Sequence, residues 1–118
     1  MKNFIFLIVF SWFVSCSSML AQTQGEMNMK AQREYQKSDA ELNKVYQKLI
    51  KILTKEDKQL LIVAQKYWLK FRDSHCKFES KQYDGGSMQP LVLSTCLNEQ
   101  TKKRINDLKL SFKERSSR

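Results

Sequence analysis

Very little in this chain can stop a helix. Its 118 residues include only three glycines and one proline. Two of those glycines and the proline fall close together, in Asp84-Gly85-Gly86-Ser87 and Pro90. Apolar residues elsewhere recur at the helical period. From 26 to 53 they fall at Met27, Ala31, Tyr35, Leu42, Val45, Tyr46, Leu49 and Ile52, in steps of mostly three and four, with Ser38 in the polar gap. That spacing predicts one amphipathic helix, with Arg33, Lys37, Lys44, Lys48 and Lys51 on its opposite face.

Thr54 ends this run and is suited to cap the next, because Glu56 and Asp57 follow in a first turn where carboxylates complement the helix dipole. The second helix is predicted to reach about Gln82, with Leu60, Leu61, Ala64, Tyr67, Trp68, Phe71 and Phe78 as its inner stripe. The short connection makes the first two helices an antiparallel hairpin. The glycines then allow a sharp turn, and Pro90 suits the first turn of a third helix. Its inward face is read as Leu93, Cys96, Leu97, Thr101, Ile105, Leu108 and Phe112, and Lys113–Arg118 as a frayed tail. The expected fold is all-α: a small antiparallel helical hairpin plus a third helix.

The start of the chain reads differently. Lys2 precedes an apolar stretch, Phe4 to Val14, which is short for a membrane span and leads into small and polar residues up to Ala21. This order predicts a secretory signal peptide over 1–21, leaving 22–118 as one exported domain in the periplasm or cell envelope. An alternative is that Phe13-Val14-Ser15-Cys16 acts as a lipobox, with Cys16 acylated and retained as a lipid anchor. No second apolar run of spanning length follows. Cleavage after Ala21 leaves two cysteines, Cys76 and Cys96. Export places them in an oxidising compartment, so a disulfide is expected across the glycine turn.

The residues argue against catalysis. His75 is the only histidine, and it is read as a surface or capping residue. No Ser/His/Asp set can be built without it, and there is no second histidine or free cysteine for a metal cluster. Gly85-Gly86 lacks the strand and third glycine of a phosphate loop. No cofactor is expected. The net charge of +9 could suit nucleic acid, an anionic envelope polymer or an acidic protein groove. The lysines are spread along all three helices without an alternating aromatic ladder, and export disfavours nucleic acid, so a solvated cationic surface is the simplest reading.

One polar set lies close to the apolar seam. Asp39, Asn43 and Tyr46 follow at four and three on the first helix, and Gln65, Trp68 and Arg72 at three and four on the second. Buried polar groups need partners, so these six residues are read first as a structural network between helices. The alternative is a recognition surface anchored by Trp68 and Arg72.

The same residues carry a resemblance. Glu26-Met27-Asn28, Asp39-x-Glu41-Leu42-Asn43, Gln65-x-x-Trp68-x-x-x-Arg72-Asp73-x-x-Cys76, and Gly85-Gly86-Ser87 followed by Pro90, Cys96, Thr101, Arg104 and Leu108 together resemble the LprI-type lysozyme inhibitor domain, also catalogued as DUF1311. The likeness covers about 24–110. Many members carry a further cysteine soon after the Met-Asn pair, where this chain has Met29-Lys30. The resemblance implies an exported bacterial helical protein whose partner is a protein at the envelope, a lysozyme in the namesake. Inhibition would then be stoichiometric occlusion of the lysozyme cleft. The candidate inserted element is the Tyr83–Gln89 loop, with Gly85, Gly86 and Ser87 in it and Lys81 beside it supplying positive charge; the competing reading is that Gly85-Gly86-Ser87 is only a helix connection. The competing reading is a cationic envelope module that binds anionic polymer or another envelope protein.

Overall fold

The computed structural model describes residues 23–118 with their side chains. The expected signal peptide and Cys16 lie outside the described residues. Three helices follow in order: α1 (Lys2–Ile50), α2 (Lys55–Lys81) and α3 (Gln89–Ser116). The described residues contain no strand. The fold is the predicted all-α hairpin plus third helix, and Cys76 and Cys96 are joined by a disulfide with their Cα atoms 5.5 Å apart.

The helix boundaries have local causes. α1 stops at Ile50 rather than 53; Ile52 and Leu53 N–H groups turn back to the Leu49 and Ile50 carbonyls in a tight turn. Thr54 caps α2, its hydroxyl accepting from the Asp57 N–H at 3.2 Å, with Glu56 and Asp57 in the first turn. Pro90 sits in the first turn of α3, where a missing N–H costs nothing. The basic run expected to be a frayed tail instead continues α3 to Ser116. Lys113 and Arg115 occupy its last turn, a favourable place for cations.

Paired residues give the topology. Asn28 meets Ser87, Ser38 meets Asn98, and Glu41 meets Lys109, so α1 and α3 run parallel. Arg72 reaches Asp39 and Thr101, and Arg104 reaches Gln65, so α2 runs antiparallel to both. The closest backbone packing is α1 on α3, followed by α2 on α3. The two helices of the hairpin meet mainly through long side chains. Leu42, Leu49, Ile105 and Leu108 form the buried core, packed by Val45, Tyr46, Leu53, Leu61, Trp68 and Phe112.

The face of α2 departs from the predicted stripe. Leu61 and Trp68 do turn inward, but Leu60, Tyr67, Phe71 and Phe78 are exposed, Phe78 by 75%. The buried residues of α2 are Gln65, Arg72, Cys76 and Ser80. The predicted stripe follows the apolar side chains, whereas α2 is turned so that Gln65 and Arg72 face the α1–α3 seam. Met27 of α1 and Ile52 in the turn after it are likewise more exposed than predicted.

Candidate functional site

Two features could carry function: the seam around Arg72 and the loop between α2 and α3. Arg72 is only 6% exposed. Its Nη1 donates to Asp39 Oδ1 at 3.1 Å and to Thr101 Oγ1 at 3.3 Å, and its Nε donates to Asp73 Oδ1 at 2.9 Å. One side chain thus ties α2 to α1 and to α3. The guanidinium also lies 5.4 Å from the Tyr35 ring centre and 5.3 Å from that of Trp68, within cation–π range. Burial works against its charge. Hydrogen bonds to Asp73 and Asp39 and the field of Tyr35 more than offset that, so Arg72 stays charged more firmly than a free arginine. Burial raises the Tyr35 hydroxyl pKa, and the facing Arg72 partly counters it.

Arg104 completes the seam. Its Nε donates to Gln65 Oε1 at 2.9 Å, and its guanidinium lies 5.8 Å from the Trp68 ring centre. Its hydrogen bond goes to a neutral amide, and burial lowers its pKa, with Asp107 opposing the shift. Trp68 therefore contacts two cations as well as the apolar core.

Of the six seam residues picked from the sequence, Asp39, Trp68 and Arg72 come together across α1 and α2, while Gln65 pairs with Arg104 of α3, which also faces Trp68. Tyr46 packs against the core instead. Asn43 is exposed and does not join them. Sequence reasoning missed Tyr35, Arg104 and the buried Ser38–Asn98 pair, whose hydroxyl-to-amide-oxygen distance is 2.7 Å. Tyr35 lies one turn before Asp39 and so was legible. Asn98 was not, because it lies between Cys96 and Thr101 with no apolar spacing to mark it.

The loop is exposed from Gln82 to Met88 and is held from several directions. Gly85 has φ +77°, a left-handed conformation that favours glycine. Tyr83, Asp84 and Gly86 N–H groups donate to Ser80, Lys81 and Tyr83 carbonyls, each at 3.0 Å. From α1, Asn28 Nδ2 donates to the Ser87 carbonyl at 3.1 Å. The disulfide joins the helices on either side. Lys81 lies 3.8 Å from Asp84, with both side chains largely in solvent. Such a pair contributes little, so the charge of Lys81 remains available at the surface. His75, expected at the surface, stacks on Phe71 with ring centres 5.4 Å apart.

No group of three or more His, Cys, Asp or Glu side chains among the described residues could hold a metal ion. No helix among the described residues is long and apolar enough to cross a membrane.

Comparison with known proteins agrees with the sequence reading. An uncharacterized protein of Rhizobium meliloti (strain 1021) is 35% identical over 102 residues, which cover 75% of this chain and 73% of that protein. No solved structure matches. The family model described as lysozyme inhibitor LprI matches residues 16–108, a span that holds the disulfide, the Arg72 seam and the glycine loop, and the chain belongs to that family.

Proposed function

We propose that this protein is exported and inhibits a lysozyme by binding it stoichiometrically and occluding its cleft, without chemistry of its own. The observation that carries this is the match to the inhibitor family over residues 16–108. Residues 1–21 serve as the signal peptide and 22–118 as the working domain. A mass spectrum of the envelope form that begins at Gln22 supports this boundary. An acylated Cys16 replaces it with a lipid-anchored form, and an intact Met1 on mature protein refutes export.

The contact is proposed at the glycine loop. Lysozyme catalysis rests on two carboxylates in a cleft, and Lys81 brings a cation to the edge of an exposed, hydrogen-bonded turn. The loop is already held by the disulfide, by its turn hydrogen bonds and by Asn28, so it loses little entropy on binding. The Arg72 seam is the brace behind it: a network that fixes α2 against α1 and α3 rather than a surface offered to the partner.

The test is inhibition of several lysozymes at low and moderate salt by the wild-type chain and by Ser87→Trp. Ser87 suits the test better than Gly86, whose added Cβ would press on the Tyr83 carbonyl oxygen at 3.2 Å. A folded Ser87→Trp protein is expected to inhibit at least about tenfold less well, the effect of losing roughly 1.4 kcal/mol of binding. Undiminished inhibition excludes the loop from the contact. Inactivation of lysozyme by substoichiometric protein removes the binding mechanism altogether.

A further inference from the structure

The outward face of α2 takes no part in the seam or in the loop. Leu60, Val63, Tyr67, Phe71 and Phe78 succeed one another along it, all at least half exposed, and His75 fills the long step by stacking on Phe71. Their spacing puts them on one side of the helix. At about 1.5 Å per residue the stripe runs about 27 Å. Soluble monomers rarely leave a contiguous apolar strip of this kind open to water.

Charge accompanies the strip along one edge. Lys66, Lys70 and Lys77 are all exposed and repeat at helical spacing beside it, and Lys81, assigned to the loop, is not counted among them. The two sets are in contact: Val63, Tyr67, Lys66 and Lys70 line one shallow hollow. The other edge of the strip runs into the bundle at Leu61 and Trp68.

We propose that α2 docks on the surface of a membrane containing anionic lipid, with the aromatic and aliphatic side chains at the headgroup–acyl boundary and the lysine row on the lipid phosphates. A helix with apolar and aromatic side chains on one strip and lysines beside it is the kind that lies in a membrane interface. A membrane accepts a straight, convex strip without a matching groove, whereas a protein would need an acid-edged apolar trough about 27 Å long. A second copy packed antiparallel along the same strip would set one lysine row against the other. The inference needs the proposed export only to bring the protein to a membrane and does not depend on lysozyme inhibition, which is assigned to the loop.

The experiment is co-sedimentation of the full chain with vesicles of phosphatidylcholine alone or with phosphatidylglycerol added. Each basic residue near an anionic surface adds about fivefold to partition, so the wild-type chain is expected to bind the anionic vesicles well over tenfold more tightly. Phe71→Ser with Phe78→Ser should weaken binding by about tenfold or more. Lys66→Glu with Lys70→Glu and Lys77→Glu should abolish the preference for phosphatidylglycerol. The N-terminal segment is common to all these chains, so its own affinity for lipid cancels. Insertion of the strip itself is read from Phe78→Trp, which should gain quenching by brominated lipid over the wild type. Unchanged binding in both sets of variants, or no added quenching, overturns the proposal. Loss of lysozyme inhibition with vesicle binding intact assigns the strip to a protein partner, and a variant-induced shift from dimer to monomer with vesicle binding intact assigns it to a second copy. Should the serine variant fail to fold by circular dichroism, the conservative Phe78→Trp reading decides alone.

Discussion

The inward face of α2 carries Gln65, Arg72, Cys76 and Ser80, all buried, while its outward face carries Leu60, Val63, Tyr67, Phe71 and Phe78, all at least half exposed. A single helix thus reverses the usual distribution along much of its length. α1 shows the ordinary one, with Leu42 and Leu49 buried and Lys37, Lys44 and Lys48 in solvent. The difference follows from what each helix packs against. α1 and α3 lie closest together and their apolar residues make the core. α2 lies over a seam that those two helices have largely filled, so it reaches them through long side chains that end in hydrogen-bonding groups. A buried polar group is tolerable when its partners are present. Every buried side-chain nitrogen and oxygen among the described residues has one.

The sharpest way to test the inward face is to remove its covalent link. Replacing Cys76 and Cys96 together by serine is expected to lower the unfolding free energy by roughly 3 kcal/mol, from the loop entropy returned to the unfolded chain. Urea denaturation of the oxidised wild type against the double variant measures it. If the two unfold at the same urea concentration, the inward face is held by its polar contacts alone.

The next largest effect is expected at Arg72. Arg72→Met keeps the bulk of the side chain but leaves the fully buried Thr101 hydroxyl without Arg72 as donor. Asp39 and Asp73 are about half exposed and can hydrate. The expected cost is about 2 kcal/mol, within the range for a lost partner of a buried polar group, again by urea denaturation. A neutral or stabilising result would place this arginine among the buried ionic groups that hydrophobic residues can replace, and would make the polar seam a matter of helix register rather than of stability.

The smallest effect belongs to the outward face. Phe71→Ser and Phe78→Ser together should change stability by no more than about 0.5 kcal/mol, as for substitutions away from packed features. Thermal unfolding of the variant in the absence of lipid and partner measures it. A loss of several degrees would mean that these rings pack against the bundle, and the contrast between the two faces of α2 would then disappear.

How much of this was legible varies along the chain. Thr54, the Gly85 turn, Pro90 and the disulfide were, because each acts through local chemistry: a hydroxyl within reach of a nearby N–H, a backbone freed of a Cβ, a ring that fixes φ, a pair of thiols in an oxidising compartment. The meeting of Asp39 with Arg72 was legible as a strip of polar residues near the seam. The roles of Arg104 and Asn98 were not, since their partners, Gln65 and Ser38, lie on other helices. The inner stripe of α2 was misread because period gives the arc on which apolar residues fall, and not the side on which the bundle lies.

Three helices, the Thr54 cap, the one sharp turn, the cystine and membership of the inhibitor family are all written in the sequence, because each depends on residues near one another in the chain or on an ordered set of motifs. That α3 packs along α1, that Arg72 pins all three helices and that α2 presents its aromatic side to solvent depends on contacts between helices. Rotating a helix about its axis leaves its period unchanged. It is the competition among three helices for the same buried seam that selects one rotation, and here the apolar surfaces of α1 and α3 fill that seam first.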